Sequence, residues 1–283
     1  HPNTGVAAKM KIPGGETLPE NTTDGRHAFA DWLTARENPY FAKAIVNRLW
    51  KSLMGRGLVE PVDDFRATNP ATHPDLLDQL AEDFVEHGYD LRHTLKRIAL
   101  SSTYARSSAP VRGNETDQRF YSHMIRKPLA PEVLADAISD VLGVASQYGD
   151  ETLGTRAVQL DDGAIRSDAL DILGRCNRTH SCEGAPSPTG PLAQKLHLFN
   201  GELLNGRINV PGSRLDKLIR AGRKPSEIVR EFYQVALNRP PSEREMETIS
   251  HWLNEQQPAS AQREALEDFV WSIVTCREFV SNH

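Results

Sequence analysis

Apolar residues recur along most of the chain at the three- and four-residue spacing of an α-helix, and this periodicity constrains the fold more than any other feature. One such stripe comprises four residues of a single predicted helix: Phe41, Ile45, Leu49 and Leu53. Gly55 follows that stripe, where a left-handed C-cap would end the helix. Because each stripe must be buried against a neighbouring helix, the pattern predicts an all-α fold.

The starts of the predicted helices are marked by proline and by capping residues. Pro131 and Pro225 each precede an apolar stripe, as expected of proline in the first helical position. Ser242 and Glu245 have the spacing of a capping box. We count about nine or ten helices and almost no strand, which predicts an irregular multi-helix bundle. Residues 157–160 are the exception and could form a short strand.

Turn residues and changes in periodicity divide the chain into four parts. Residues 1–25 are rich in Pro, Gly and Asn, which is typical of a linker or arm. Residues 26–143 form an N-terminal helical part and residues 192–283 a C-terminal one, and we expect the two to form one domain. Residues 144–191 are an irregular, loop-rich insert in which 167–173 predict a short helix. Long ordered loops are often functional.

Composition excludes several classes of protein. With 39% hydrophobic residues, 25% charged residues and three cysteines in 283, the chain is neither collagen-like nor a disulfide-dense scaffold. A net charge of −5 argues against nucleic-acid binding through bulk positive charge. No apolar run approaches the roughly 18 residues of a membrane span. Because the chain begins with His1 and lacks a signal-peptide pattern, we expect it to be part of a longer polypeptide.

The cysteines leave several chemistries open. Five residues separate Cys176 from Cys182, and His180 is one of them. The two cysteines could form a disulfide, they could bind a metal together with the histidine, or they could be ordinary thiols. The usual zinc spacings are absent, so we expect no metal site. Cys276 lies beside the last apolar stripe and is predicted to be a small buried residue.

No catalytic motif is present, and the catalytic residues are unknown. The chain has no Gly-x-Ser-x-Gly, P-loop or His-Glu-x-x-His pattern. It also lacks Cys-x-x-Cys-His, so it cannot itself attach a c-type haem and we expect no cofactor in this chain. Polar residues of the insert and the following helix could line a pocket where the two meet. These candidates are Arg156, Gln159, Asp161, Arg175, Arg178, His180, Gln194 and Asn200.

One predicted helix has a basic outer face. Four cationic residues recur opposite Leu215 and Leu218: Arg214, Lys217, Arg220 and Lys224. A solvated helix surface would account for them, and a surface for an anionic partner is the alternative.

Many short motifs occur in a fixed order and together resemble one family. They include Ala-Asp-Trp-Leu-Thr, Val-Asn-Arg-Leu-Trp, Gly-Arg-Gly-Leu-Val and Gly-Thr-Arg-Ala-Val-Gln-Leu. The full set lies at 30–34, 38–42, 46–50, 55–59, 63–65, 73–77, 102–104, 154–160, 196–201, 236–241 and 277–283. Over about residues 26–283 the chain resembles the planctomycete-specific domain of unknown function that ends large planctomycete cytochrome-like proteins.

That resemblance implies a larger context for the chain. Such parents often carry an export signal, a c-type haem domain and another domain of unknown function upstream, so the resemblance implies an extracytoplasmic location and upstream partner domains. No catalytic residue carries over. Where relatives have a Cys-Glu-Cys-Glu-Arg-like stretch, this chain has Ser-Cys-Glu-Gly at 181–184.

Two functions are therefore open, and the sequence does not decide whether the chain is an enzyme. The first is a non-catalytic binding or scaffold module that contacts a glycan or another protein. The alternative is an extracytoplasmic enzyme domain, carbohydrate-active or redox-linked, that works with an upstream haem domain. The polar residues predicted to line the pocket are the observation on which the second hypothesis depends.

Overall fold

The computed structural model describes residues 5, 9–13, 15–19, 21–163, 165–175, 204–255 and 259–282. These residues contain twelve α-helices, nine of them with seven or more residues, one 3-10 helix and a two-stranded sheet. The predicted all-α fold is confirmed. Among the described helices, none combines the length and apolarity that a membrane span requires. The chain forms two compact units, His1–Ile125 and Arg126–His283.

The first unit is built on four helices. They are α1 (Arg26–Thr34), α2 (Phe41–Met54), α3 (Pro74–Glu86) and α4 (Leu91–Ala99). Helix α2 packs against both α3 and α4. The core is composed of apolar side chains from these helices, including Val46, Trp50, Leu77, Phe84 and Ile98. The face that α2 buries lies one position along from the predicted stripe, because Val46 and Trp50 are buried whereas Phe41, Ile45, Leu49 and Leu53 are only half-buried.

The segment after α2 is held to that helix by a buried amide, which we name the Asn47 clamp. Asn47 Nδ2 donates to the carbonyl oxygens of Val59 and Val62, both at 2.9 Å. Its Oδ1 accepts from the Val59 N–H at 3.0 Å. A Cβ at Gly57 would lie only 2.4 Å from the Val59 carbonyl oxygen. Two of the motifs that carry the family resemblance therefore serve to pack this loop closely.

The second unit contains the remaining elements. They are β1 (Lys127–Pro128), α5 (Pro131–Leu142), a 3-10 helix (Ala157–Gln159), α6 (Asp168–Ile172), α7 (Asn205–Ile208), α8 (Arg214–Arg220), α9 (Pro225–Leu237), α10 (Glu243–Asn254), α11 (Ala259–Thr275), α12 (Arg277–Val280) and β2 (Ser281–Asn282). Strands β1 and β2 pair antiparallel. Helix α9 packs against α5, α10 and α11, and the core includes Ile138, Phe232, Phe269 and Val270.

The local signals in the sequence located most helix starts correctly. Pro131 and Pro225 are the first residues of α5 and α9, and Ser242 caps α10 as predicted. The short helix predicted within 167–173 is α6. The strand suggested at 157–160 is wrong, because a 3-10 helix forms there. Its first two N–H groups bond to a side chain of α5, Asp136, rather than to a neighbouring strand.

The division into two units differs from the grouping drawn from the sequence. The boundary follows Ile125, so α5 lies in the second unit and not with the other helices of 26–143. Of the predicted insert 144–191, residues 144–163 and 165–175 are described. The predicted helix after residue 191 lies mostly outside the described residues.

A charged network, the Arg239 clamp, links the end of α9 to α10 and α12. Arg239 follows Asn238, whose left-handed backbone (φ 53°) ends α9. The guanidinium bonds to both oxygens of Glu245 at 2.9 and 3.0 Å and to both oxygens of Glu278 at 2.7 and 2.8 Å. It also lies over the Tyr233 ring, 5.3 Å from the centroid. The bond to Arg239 lowers the pKa of Glu245 to about 2.

Candidate polar cleft around Arg156

The structure describes only some of the residues predicted to line a pocket. Those described are Arg156, Gln159, Asp161 and Arg175. The others lie outside the described residues: Arg178, His180, Gln194 and Asn200, together with the two cysteines of the predicted disulfide, Cys176 and Cys182. Convergence of the full set therefore stays a prediction.

Arg156 lines a cleft of about 280 Å³ in the second unit. One wall is a face of α5, since residues 136, 139, 140 and 143 have the i, i+3, i+4, i+7 spacing of a single helix face. The opposite wall consists of the loop segments 144–146 and 154–156. The Gly154 N–H donates to the Ser146 carbonyl oxygen at 2.9 Å and holds the two segments together.

Asp136 is the innermost charged group of the cleft. Its side chain is only 5% exposed. One carboxylate oxygen accepts the Ala157 N–H at 2.7 Å and the other accepts the Val158 N–H at 3.2 Å. Arg156 Nε lies 3.5 Å away. A buried carboxylate is stable only when it is bonded and paired in this way, so Asp136 fixes the start of the 3-10 helix against α5.

Asp140 and Arg156 form an ion pair at the mouth of the cleft. Arg156 Nη2 lies 2.9 Å from Asp140 Oδ2, and this bond raises the pKa of the guanidinium. The two side chains are 49% and 59% exposed. A pair with this much solvent contact contributes little to stability, and its polar atoms remain accessible to a ligand.

Arg207 braces the loop wall from behind. It donates to the hydroxyls of Ser139 and Ser146 at 3.1 and 3.0 Å and to the carbonyl oxygens of Val144 and Ala145 at 3.1 and 2.7 Å. Burial lowers the pKa of Arg207, but a guanidinium stays protonated in proteins. These bonds to neutral acceptors give the cleft a preformed wall.

Arg214 holds the end of α5 by hydrogen bonds to its last carbonyl groups. Its Nε donates to the Val141 carbonyl oxygen at 2.8 Å and its Nη2 to the Asp140 carbonyl oxygen at 3.1 Å. Its Nη1 pairs with Glu231 at 3.1 Å. The last carbonyls of a helix have no partner within the helix, and a cation there is favourable. Arg214 is thus directed towards α5 instead of into solvent.

The rest of the predicted basic face is exposed. Lys217, Arg220 and Lys224 are all accessible. Arg220 pairs with Asp216 at 3.0 Å, and Asp216 is itself buried with its pKa lowered, first by the Gly212 N–H bond. The surface is therefore less basic than the sequence indicated.

Among the four described candidates from the sequence, only Arg156 lines this cleft. The Gln159 side chain accepts the Arg156 N–H at 3.3 Å and closes the 3-10 turn. Asp161 is exposed. Arg175 is buried and bonds to Asp171 at 2.7 Å, so it supports the α6 segment.

Sequence reasoning missed two acidic residues of the site, Asp136 and Asp140. A signal was present, since Asp136 falls inside the apolar stripe formed by Leu134, Ala135 and Ile138 of α5. A carboxylate is almost never fully buried without a partner, so an aspartate in a core stripe indicates a bonded one. Among the described residues, those that could hold a metal ion lie in the first unit and not in this cleft.

Comparison with known proteins yields one family. The family described as PSD1, protein of unknown function (DUF1553), matches residues 25–253. That span includes the Asn47 clamp and the whole of the cleft. No curated protein and no solved structure matches the chain.

Proposed function

The chain belongs to the PSD1 family of proteins of unknown function, and from this premise we propose that it is a non-catalytic binding module. The cleft around Arg156 binds one unit of an uncharged, hydroxyl-rich polymer such as a glycan. Another protein segment rich in neutral polar groups is the other partner that this chemistry would accept.

The observation that supports binding over catalysis is the pairing of both carboxylates. Asp136 accepts two backbone N–H groups and lies beside Arg156, and Asp140 bonds to the same guanidinium. A general acid or base has to exchange a proton with its substrate. Carboxylates whose oxygens already bond to N–H groups and a guanidinium are placed as hydrogen-bond acceptors, which suits recognition of hydroxyl groups.

The charge and size of the cleft indicate the class of ligand. The two aspartates are opposed by Arg156 in the cleft and by Arg207 behind its wall, so neither sign is in excess. The exposed ion pair offers donors and acceptors side by side, as vicinal hydroxyls require. At about 280 Å³ the cleft lies at the lower limit of the roughly 300–1,000 Å³ of small-molecule sites, which fits one unit of a longer chain.

Binding is tested by calorimetry with neutral xylan and dextran, anionic alginate and cationic chitosan. We expect affinity for a neutral polymer. That affinity should fall at least about tenfold in Arg156→Gln and in Asp140→Asn, since each variant leaves a hydroxyl group of the bound polymer without its hydrogen-bond partner. Arg166→Gln is the matched control, because Arg166 is an exposed arginine outside the cleft. Equal binding by Arg156→Gln, or no binding to any neutral polymer, would disprove the proposal.

One observation favours the alternative of an extracytoplasmic carbohydrate-active or redox-linked enzyme. Two carboxylates one helical turn apart share a cleft, and glycoside hydrolysis uses a pair of carboxyl groups. The same polymers are therefore assayed for chain cleavage with the full-length, haem-loaded protein of which this chain is proposed to be a part. Unchanged polymer supports the binding module, whereas turnover that Asp140→Asn abolishes would replace it with the enzyme.

The setting of the module is part of the proposal. It works within a larger exported protein of planctomycete type, next to upstream domains that include a c-type haem domain. The ordered motifs from 30–34 to 277–283 support this context. Fractionation of native cells and haem absorbance of the purified native protein test it, and a cytoplasmic protein without haem would contradict it.

A further inference from the structure

A cluster of two histidines and an aspartate lies between the end of α3 and the first turn of α4. Asp83 and His87 are one turn apart at the end of α3, and His93 lies in the first turn of α4. The two imidazole rings stack 3.8 Å apart with only 13° between their planes. None of these residues belongs to the cleft of the second unit, and none was singled out by the sequence motifs.

The three side chains direct their ligand atoms to one place. His93 Nε2 lies 2.9 Å from Asp83 Oδ2, and His87 Nδ1 lies 3.6 Å from Asp83 Oδ1. One nitrogen or oxygen atom from each residue falls within 4.8 Å of the others. The 2.9 and 3.6 Å distances are close to the roughly 3.4 Å between neighbouring ligand atoms of a tetrahedral Zn²⁺ ion with bonds of about 2.0–2.1 Å.

The backbone of the connection produces this arrangement. Gly88 and Tyr89 both adopt left-handed conformations (φ 63° and 62°) and turn the chain sharply. The Asp90 side chain then accepts the N–H groups of Arg92 and His93 and caps α4. The turn brings His93 back over His87, although five residues separate them in the sequence.

We infer that this cluster is a binding site for a divalent transition metal ion, with Zn²⁺ as the best-fitting case. Imidazole nitrogen is a preferred ligand of Zn²⁺, Ni²⁺ and Co²⁺, whereas Mg²⁺ and Ca²⁺ take oxygen ligands. Two imidazoles and one carboxylate leave positions open for water or a fourth ligand. The cluster also lies at the C-terminal end of α3, where the helix dipole favours a cation. This inference departs from the sequence expectation of no metal site.

Metal binding needs a small, local rearrangement. The lone pairs of nearly parallel rings do not converge, so one imidazole has to tilt about its χ2 torsion, which is a soft torsion for histidine. The His87 side chain is 47% exposed and has room to turn. The ion would replace the present contacts of both rings, including the 2.8 Å bond of His87 Nδ1 to the Asp83 carbonyl oxygen.

Arg97 supplies a direct test of the electrostatics. Its Nη2 lies 3.9 Å from Asp83 Oδ1, so its charge opposes a cation at this site. Removing that charge should therefore strengthen metal binding, while removing a ligand should weaken it. A purely structural role for the histidines would not produce opposite changes.

The experiment uses tag-free, chelator-treated full chain carrying Cys176→Ser, Cys182→Ser and Cys276→Ser, so that thiols do not compete. Calorimetry with ZnCl₂ and the visible absorption of added Co²⁺ are the two readouts. We expect one ion per chain, with binding weakened at least about tenfold in His93→Gln and in His87→Gln. Arg97→Gln should bind more tightly than the parent.

His251→Gln is the matched control, because His251 forms an exposed pair with Glu255 at 3.2 Å and, among the residues that the structure describes, belongs to no cluster of three potential metal ligands. It should bind Zn²⁺ as the parent does. Far-UV circular dichroism checks that each variant folds. If His93→Gln does not fold, the test rests on His87→Gln, because the His87 side chain is half exposed. The inference is overturned if the parent takes up no stoichiometric Zn²⁺ or if the His87→Gln/His93→Gln double variant binds equally well.

Discussion

The Asn47 clamp of the first unit and the Arg239 clamp of the second fasten loops with opposite chemistry. Asn47 is a neutral amide with no exposed surface, and it makes three hydrogen bonds to backbone groups. Arg239 is a cation that is 36% exposed and bonds to two carboxylates. A buried neutral clamp leaves unpaired groups when it is lost. A charged clamp near the surface depends instead on ionisation and is weakened by solvent.

Arg156 shows what happens when a charged group has fewer partners. Arg239 bonds at 2.7–3.0 Å to two carboxylates and lies over an aromatic ring, whereas Arg156 bonds closely only to Asp140 and lies 3.5 Å from Asp136. The first arrangement uses up the donors of the guanidinium. The second leaves donors in contact with solvent, which is why we assign recognition to Arg156 and stabilisation to Arg239.

The largest effect is expected from Asn47→Ala. The substitution leaves the Val59 N–H and the carbonyl oxygens of Val59 and Val62 buried without a partner. We expect a loss of about 3 kcal/mol in the free energy of unfolding of the first unit. The measurement is urea unfolding followed by hydrogen exchange of peptides from residues 41–54, which reports this unit alone.

Asn21→Ala is the control, because Asn21 is exposed in the same unit. It should change the free energy of unfolding by less than about 0.5 kcal/mol. If Asn47→Ala lowered the free energy of unfolding no more than this control does, the burial of Asn47 would not make its clamp the stronger of the two.

Gly57→Ala should have the next largest effect. Its new methyl group would lie 2.4 Å from the Val59 carbonyl oxygen and 3.0 Å from Asn47 Oδ1. Backbone cannot yield as a flexible side chain does, so we expect a loss of about 2 kcal/mol. Gly25→Ala is the control, since its methyl group would meet only the ends of Met10 and Leu18. Equal stability of the two variants would show that the loop moves freely.

The sequence predicts the parts of this molecule that local interactions determine. Helix starts follow from proline and capping side chains a few residues away, as at Pro225 and Ser242. The end of α2 at Gly55 follows from its left-handed backbone (φ 81°). The all-α class follows because each apolar stripe requires a partner surface.

The candidate sites depend on contacts that no local pattern records. The 3-10 helix at Ala157–Gln159 forms because Asp136, some twenty residues earlier, takes its N–H groups. A strand was predicted there because apolar content alone does not reveal that partner. The cluster of His87 and His93 likewise depends on the left-handed turn at Gly88. The four-residue spacing of Asp83 and His87 indicates a shared helix face only when the end of α3 at Glu86 is known.

Arg239→Met should destabilise the second unit less than either change in the first. The variant loses the bonds to Glu245 and Glu278 but keeps much of the apolar contact of the arginine stem. Hydrogen bonds to charged groups are worth more than neutral ones, and solvent reduces this at a partly exposed site, so we expect about 1.5 kcal/mol. Urea unfolding read from peptides of residues 225–254 measures it. Arg244→Met, an exposed change on α10, should be nearly neutral.

The smallest effect, and the sharpest contrast between the clamps, is in their response to pH. Hydrogen bonding to Arg239 depresses the pKa of Glu245 from 4.5 to about 2. A carboxyl whose folded pKa is depressed contributes stability that is complete above about pH 4.5 and is lost as the pH falls towards 2. The stability difference between the parent and Glu245→Gln, less than about 1 kcal/mol, should therefore shrink over that window. The difference between the parent and Asn47→Ala should stay constant there, because an amide does not titrate.

Glu243→Gln, at an exposed position of the same helix as Glu245, is the control. A Glu245→Gln difference that persists unchanged at pH 2 would mean that the Arg239 clamp is held by packing against Tyr233 and not by charge.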